Sequence, residues 1–174
     1  MDALHTENIF LVKDANLSEN YYLCPLGRKT KKNMDVESIK DMINRQPNLS
    51  TALGMEFLST PEPDICVARM KVDERNRQPF GFLSGGASLA LAENVAGVGS
   101  SAICEGKICV GINVSGSHVK AVVEGDTVTA TARLVQKGRM LHVWCVDITN
   151  SEGELISTVQ VTNYIISPKK DIET

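Results

Sequence analysis

Gly85-Gly86-Ala87-Ser88-Leu89-Ala90-Leu91-Ala92-Glu93-Asn94-Val95-Ala96-Gly97-Val98-Gly99 decides the fold, and Glu93 is the one charge in it. The stretch has no Pro, and its Ala and Leu content favours a helix. Its apolar residues fall all round the helical wheel, which predicts a central buried helix rather than a surface amphipath. A carboxylate on such a helix is costly unless it is paired, protonated or used in chemistry. Glu93 is therefore the first candidate functional residue.

Working outward, Val36, Ile39, Met42 and Ile43 recur at helical spacing between Asp35 and Arg45, and Pro47 ends that helix. Residues 49–60 read as extended, with Leu53, Met55 and Phe57 alternating, and 64–72 as a second strand. A loop, Asp73–Phe82, leads into the central helix. After Gly106 the period changes to two, which predicts strands over Cys109–Ser115, Thr127–Gln136, Met140–Thr149 and Leu155–Ile166. Thr127, Thr129, Thr131 and Arg133 alternate with Val128, Ala130, Ala132 and Leu134, the pattern of a strand with one wet and one buried face. The joints Lys137-Gly138-Arg139 and Asn150–Gly153 are turn-like, so the last three strands form an antiparallel meander. The expectation is an α+β domain, an antiparallel sheet wrapped around one long central helix. An open sheet edge then needs a partner, which a second copy of the chain would supply.

Residues 1–33 are polar, lack a sustained period and read as a flexible extension; 34–167 form the domain and 168–174 a tail. The 174-residue chain carries 18 Lys and Arg against 21 Asp and Glu, a net charge of −3. No basic block points to nucleic acid, and Arg28-Lys29-Thr30-Lys31-Lys32 reads as a solvated part of the extension. His5, His118 and His142 and the five cysteines (Cys24, Cys66, Cys104, Cys109, Cys145) have no metal-ligand spacing, so no metal and no cofactor are expected. Most of the cysteines read as small core residues. No signal peptide or membrane span is evident, which makes the cytoplasm the expected compartment.

The run Gln78-Pro79-Phe80-Gly81-Phe82-Leu83-Ser84-Gly85-Gly86-Ala87-Ser88 followed by Leu91-Ala92-Glu93 resembles the hotdog-fold acyl-CoA thioesterases of the phenylacetate-degradation and 4-hydroxybenzoyl-CoA thioesterase type. Within that group the chain is most similar to the 1,4-dihydroxy-2-naphthoyl-CoA hydrolases. Further pieces match in order over residues 35–166: Asn113, His118-Val119, Glu124-Gly125, Gly138, Val143-Trp144 and Thr162-Asn163-Tyr164-Ile165. The resemblance implies a hotdog fold, hydrolysis of a coenzyme A thioester, and a homodimer or homotetramer.

It also implies roles. Glu93 would be the catalytic carboxylate, as nucleophile or as general base on water. The Gly85 backbone N–H, with Gly86 at the start of a helix whose first N–H groups are unpaired, would polarise the thioester carbonyl. Gln78 would help hold that carbonyl. In the family the carboxylate of one subunit acts beside the Gly of its partner. Asn94 and Gly97 would line the substrate groove. His118 lies toward its coenzyme A end, where Lys120 and Arg139, on a nearby turn, would attract phosphates. Two positions depart from the family: Ser84 replaces a common His, and Gly97 replaces a common Ser or Thr. Both remove polar groups, which keeps a non-catalytic acyl-CoA-binding protein as the alternative. A hotdog dehydratase would need a His with an acid, and no His lies between Gly85 and Glu93.

Overall fold

The structure, a computed structural model, describes residues 21–23, 29–31, 33–104 and 106–166. Most of the expected extension and the whole C-terminal tail lie outside these residues, as do Cys24 and His5. Two short strands, β1 (Tyr21–Leu23) and β2 (Lys29–Lys31), pair with each other. Then come α1 (Glu37–Asn44), α2 (Leu49–Leu53), β3 (Met55–Leu58), β4 (Ile65–Lys71), α3 (Gly85–Ile103), β5 (Ile108–His118), β6 (Thr127–Lys137), β7 (Leu141–Thr149) and β8 (Leu155–Ile166). Strands β3 to β8 form one antiparallel sheet in the order β3-β4-β6-β7-β8-β5. The expected meander is β6-β7-β8, and β5 and β3 are the two edges.

Helix α3 lies against the inner face of this sheet. Leu91, Ala92, Val95 and Ala96 of the helix are fully buried, as are Val128, Ala130 and Ala132 of β6 and Trp144, Val146 and Ile148 of β7. Each of the larger side chains contributes about 1.5–3 kcal/mol on leaving water. The helix comes close to β7 because Gly99 has no side chain. A Cβ there would sit 2.7 Å from Trp144 Cη2 and 3.1 Å from Cys66 Cβ, whereas one on Gly97 would meet nothing within 4 Å. The two Gly→Ala changes should therefore have opposite signs. Gly97→Ala gains up to ~1 kcal/mol from helix propensity. Gly99→Ala loses about 1–2 kcal/mol, because overpacking outweighs the same gain. Urea unfolding checks this, and shifts of equal sign would contradict it.

One expectation needs correction. Residues 49–53 are not extended but form α2. Asn48 Oδ1 accepts from Thr51 N at 3.1 Å and Thr51 Oγ1 accepts from Asn48 N at 3.0 Å, a capping box that starts the helix. Gly54, with φ +72°, ends it. Only Met55–Leu58 of that segment is strand. The cysteines divide: Cys66 and Cys104 are buried, Cys109 is half-buried and Cys145 is exposed. Burial pushes the Cys66 thiol up to about 12, which leaves it an inert core residue.

His142 lies on the inward face of β7 at 2% exposure, and its Nδ1 has no hydrogen-bond partner among the described residues. Burial, helped by the charges of Lys137 and Lys107, lowers its pKa from 6.5 to about 4. Between those values the unfolded chain binds a proton that the native state refuses, so stability falls as the pH drops through that window. The loss should reach about 2–3 kcal/mol near pH 4. Urea unfolding from pH 7 to 4 should show a shallower decline for His142→Leu; parallel declines would contradict this.

Candidate active site

At the start of α3, Ser84 occupies the N-cap, but its side chain makes no capping hydrogen bond. Its backbone is held instead, its N–H donating to Asn76 O at 2.9 Å and its carbonyl accepting from Ser88 N at 3.0 Å. The N–H groups of Gly85, Gly86 and Ala87 find no acceptor among the described residues. They leave the helix with donors free for an anionic oxygen, reinforced by the helix dipole.

His118, the last residue of β5, packs on this terminus. Its Nδ1 is 2.8 Å from Ser157 Oγ, and a Cβ on Gly85 would lie 2.8 Å from its Nε2. Gly85 is thus required for the close approach of the imidazole. The Gln78 loop closes the other side: Gly81 N donates to Gln78 O at 3.0 Å, and Gln78 N to Phe82 O at 2.8 Å. Gln78, Gly85, Ser88, His118, Lys120 and Ser157 all line one cavity of about 350 Å³. Lys120 is not a bare cation there. Its Nζ lies 2.5 Å from Glu154 Oε1, and this contact, with a hydrogen bond from Asn150, holds the Glu154 carboxyl below its usual range.

Glu93 is elsewhere. It lies eight residues along α3, about 12 Å by helical rise, and faces a second cavity of about 560 Å³. No residue lines both cavities. The carboxylate is half-buried and has no hydrogen bond or ion pair among the described residues. It fits because β5 has Gly111 opposite; a Cβ there would overlap Glu93 Oε1. Asn94, beside it, is used structurally: it accepts from Ser50 Oγ at 2.7 Å and donates to Ala90 O at 2.8 Å, tying α2 to α3. Gly97 lines the Glu93 cavity, and Ile39, Met42 and Ile43 of α1 form one of its walls.

One chain therefore brings Gln78, Gly85, His118 and Lys120 together and keeps Glu93 apart from them. Arg139 joins neither group. The strand register puts its turn beside Leu141, Tyr164 and Ile108, at the opposite end of the sheet from His118 and Ser157. The expectation of a turn near His118 and Lys120 is thereby corrected within one chain. Two contributors were not recognised in the sequence. Gly111 carries a usable signal, because a Gly inside a strand often marks a close approach. Ser157 carries none; only the pairing of β5 with β8 brings it to His118.

A six-stranded antiparallel sheet packed on one central helix is the arrangement of the hotdog class. Residues 80–157 match the model of the thioesterase superfamily. An esterase-named protein of Deinococcus radiodurans is 42% identical over 121 residues, 68% of this chain and 74% of that one. A 1,4-dihydroxy-2-naphthoyl-CoA hydrolase of Listeria monocytogenes is 32% identical over 70% of this chain and 98% of its own length. The crystal structure of a thioesterase from Haemophilus influenzae superposes with a TM-score of 0.71 at 34% identity, covering 79% of this chain and 94% of that one. The chain belongs to the thioesterase superfamily, a class of thioester hydrolases. No described helix is long and apolar enough to cross a membrane.

Proposed function

We propose that this protein hydrolyses an acyl-CoA thioester at a site shared by two copies of the chain. The thioester carbonyl is held at Gly85 and Gln78 of one copy and met by Glu93 of the other. The observation that carries this reading is the separation of Gly85 and Glu93 into different cavities, next to β5, whose outer edge has no strand partner among the described residues. β5 is eleven residues long, and Ile108, Val110 and Ile112 are 57%, 39% and 57% exposed along it. A long apolar edge of this kind is a template for strand pairing.

Antiparallel pairing of β5 with its copy supports the same site. Gly85 packs on His118 at one end of β5, and Glu93 faces Gly111 toward the other. A two-fold axis between the strands swaps these ends. It carries Glu93 of one copy to Gly85 of the other, and brings the distant Arg139 toward the second copy's His118. The free N–H groups then polarise the carbonyl and hold the charge that develops on its oxygen. Glu93 either adds to the carbonyl carbon, expelling the thiolate and leaving a mixed anhydride that water then hydrolyses, or removes a proton from a water that attacks the carbonyl directly. In both routes the C–S bond breaks, the thiolate takes up a proton, and the free acid and coenzyme A leave.

Thiol release from a panel of aromatic and aliphatic CoA thioesters tests the activity. Binding of a non-hydrolysable analogue with no release from any member would replace hydrolysis by acyl-CoA binding. The assembly has its own test. Ile112→Lys puts a charge on the pairing edge, and should give monomers by sedimentation and lose most turnover. A monomer with full turnover would contradict the shared site.

A further inference from the structure

Glu93, Gly97 and Ser101 follow one another at four-residue steps, so they lie in line on one face of α3. All three line the same cavity. Gly97, between the carboxylate and Ser101, has no side chain, and a Cβ there would touch nothing within 4 Å. The space beyond Glu93 is therefore continuous along the helix. The α1 residues Ile39, Met42 and Ile43, with Leu49 and Val98, give the channel apolar walls; Ser101, about two helical turns beyond Glu93, marks its far end, and Cys109 and Asn163 also line it. Asn163 is fixed there, its Nδ2 donating to Ser100 Oγ at 2.9 Å, which also accepts from Trp144 Nε1 at 2.8 Å.

We infer that this channel takes the acyl group, and that Gly97 sets its length. The inference rests on the proposed role of Glu93, which places the thioester carbon at the mouth of the channel. From Glu93 to Ser101 the helix rises about 12 Å, the length of an extended chain of roughly eight to ten carbons. The substrate class is a coenzyme A thioester whose acyl group runs past the carboxylate by about two helical turns. Short acyl groups such as acetyl or butyryl leave most of the channel wet, and gain little from its apolar walls. A side chain at position 97 divides the channel just beyond the carboxylate.

The test uses the full chain and its Gly97→Ala and Gly97→Leu variants. The ligands are acetyl-, butyryl- and octanoyl-CoA and their analogues in which a methylene replaces the thioester sulfur. Calorimetry gives Kd for the analogues, and thiol release gives kcat/KM for the thioesters. The wild type should favour octanoyl over butyryl by at least about tenfold in both, since each added methylene is buried. Gly97→Leu should remove that preference, with Gly97→Ala between the two. Gly97→Ala meets no neighbouring atom and carries the test if the Leu variant does not fold. A wild-type preference near unity, or one left unchanged in the variants, overturns the inference while hydrolysis itself stands. Failure of every analogue to bind and every thioester to react overturns the Glu93 site and the inference together.

Discussion

Glu93→Gln should lower turnover of a CoA thioester by about 10²–10⁴, the usual cost of losing a general base. Gln has nearly the same volume, so the fit against Gly111 on β5 is kept. The carboxylate has no hydrogen bond or ion pair among the described residues, so no structural contact is lost with it. The melting temperature should therefore hold, and so should the affinity for a non-hydrolysable analogue. Gln can accept a hydrogen bond, but it can neither take a proton from water nor readily form an acyl intermediate. Near-wild-type turnover would mean that Glu93 is only a half-buried structural acid.

Gly85→Ala should lower turnover by about 10²-fold, for a geometric reason. The backbone N–H is kept. The new Cβ, however, falls on the His118 ring, 2.8 Å from Nε2 and 3.0 Å from Cδ2. Ser157 holds that ring from the other side at 2.8 Å, so it cannot swing away without losing its hydrogen bond. The carbonyl must then sit further from the helix terminus, and a displacement near 1 Å in such a site costs about 10²-fold. Single-turnover kinetics with an octanoyl or benzoyl thioester reads the chemical step. An unchanged rate would mean that the carbonyl is not held at this terminus.

The central helix was legible because its signal is local: a long Ala- and Leu-rich run with a single charge has few alternatives. The strands after Gly106 were legible because one face of each is buried, which writes a period of two into β6, β7 and β8. α2 was misread because Leu53, Met55 and Phe57 also satisfy a period of two. The capping box of Asn48 and Thr51 outweighed it locally. The site divides in the same way. Glu93 stands out as the one charge in its run, and Gly85 and Gln78 are named only through the resemblance that run carries, but their separation into two cavities is a tertiary fact. The same holds for the bracing of Asn94 by Ser50, the pairing of Lys120 with Glu154, and the sheet end on which Arg139 falls. Each depends on which strands lie side by side, and no local period encodes that.

If two copies build each site, two inactive variants should rescue each other. Glu93→Gln supplies an intact Gly85, and Gly85→Ala supplies an intact Glu93. In a mixed dimer one site receives both defects and the other receives neither. Co-expression under two affinity tags, followed by sequential purification, isolates the mixed species. With random pairing half the dimers are mixed, so the unfractionated sample should recover about one quarter of wild-type turnover, and the purified mixed dimer about one half. Turnover at the level of the two single variants would contradict the shared site, and would place Glu93 and Gly85 of the same chain in one reaction or in none.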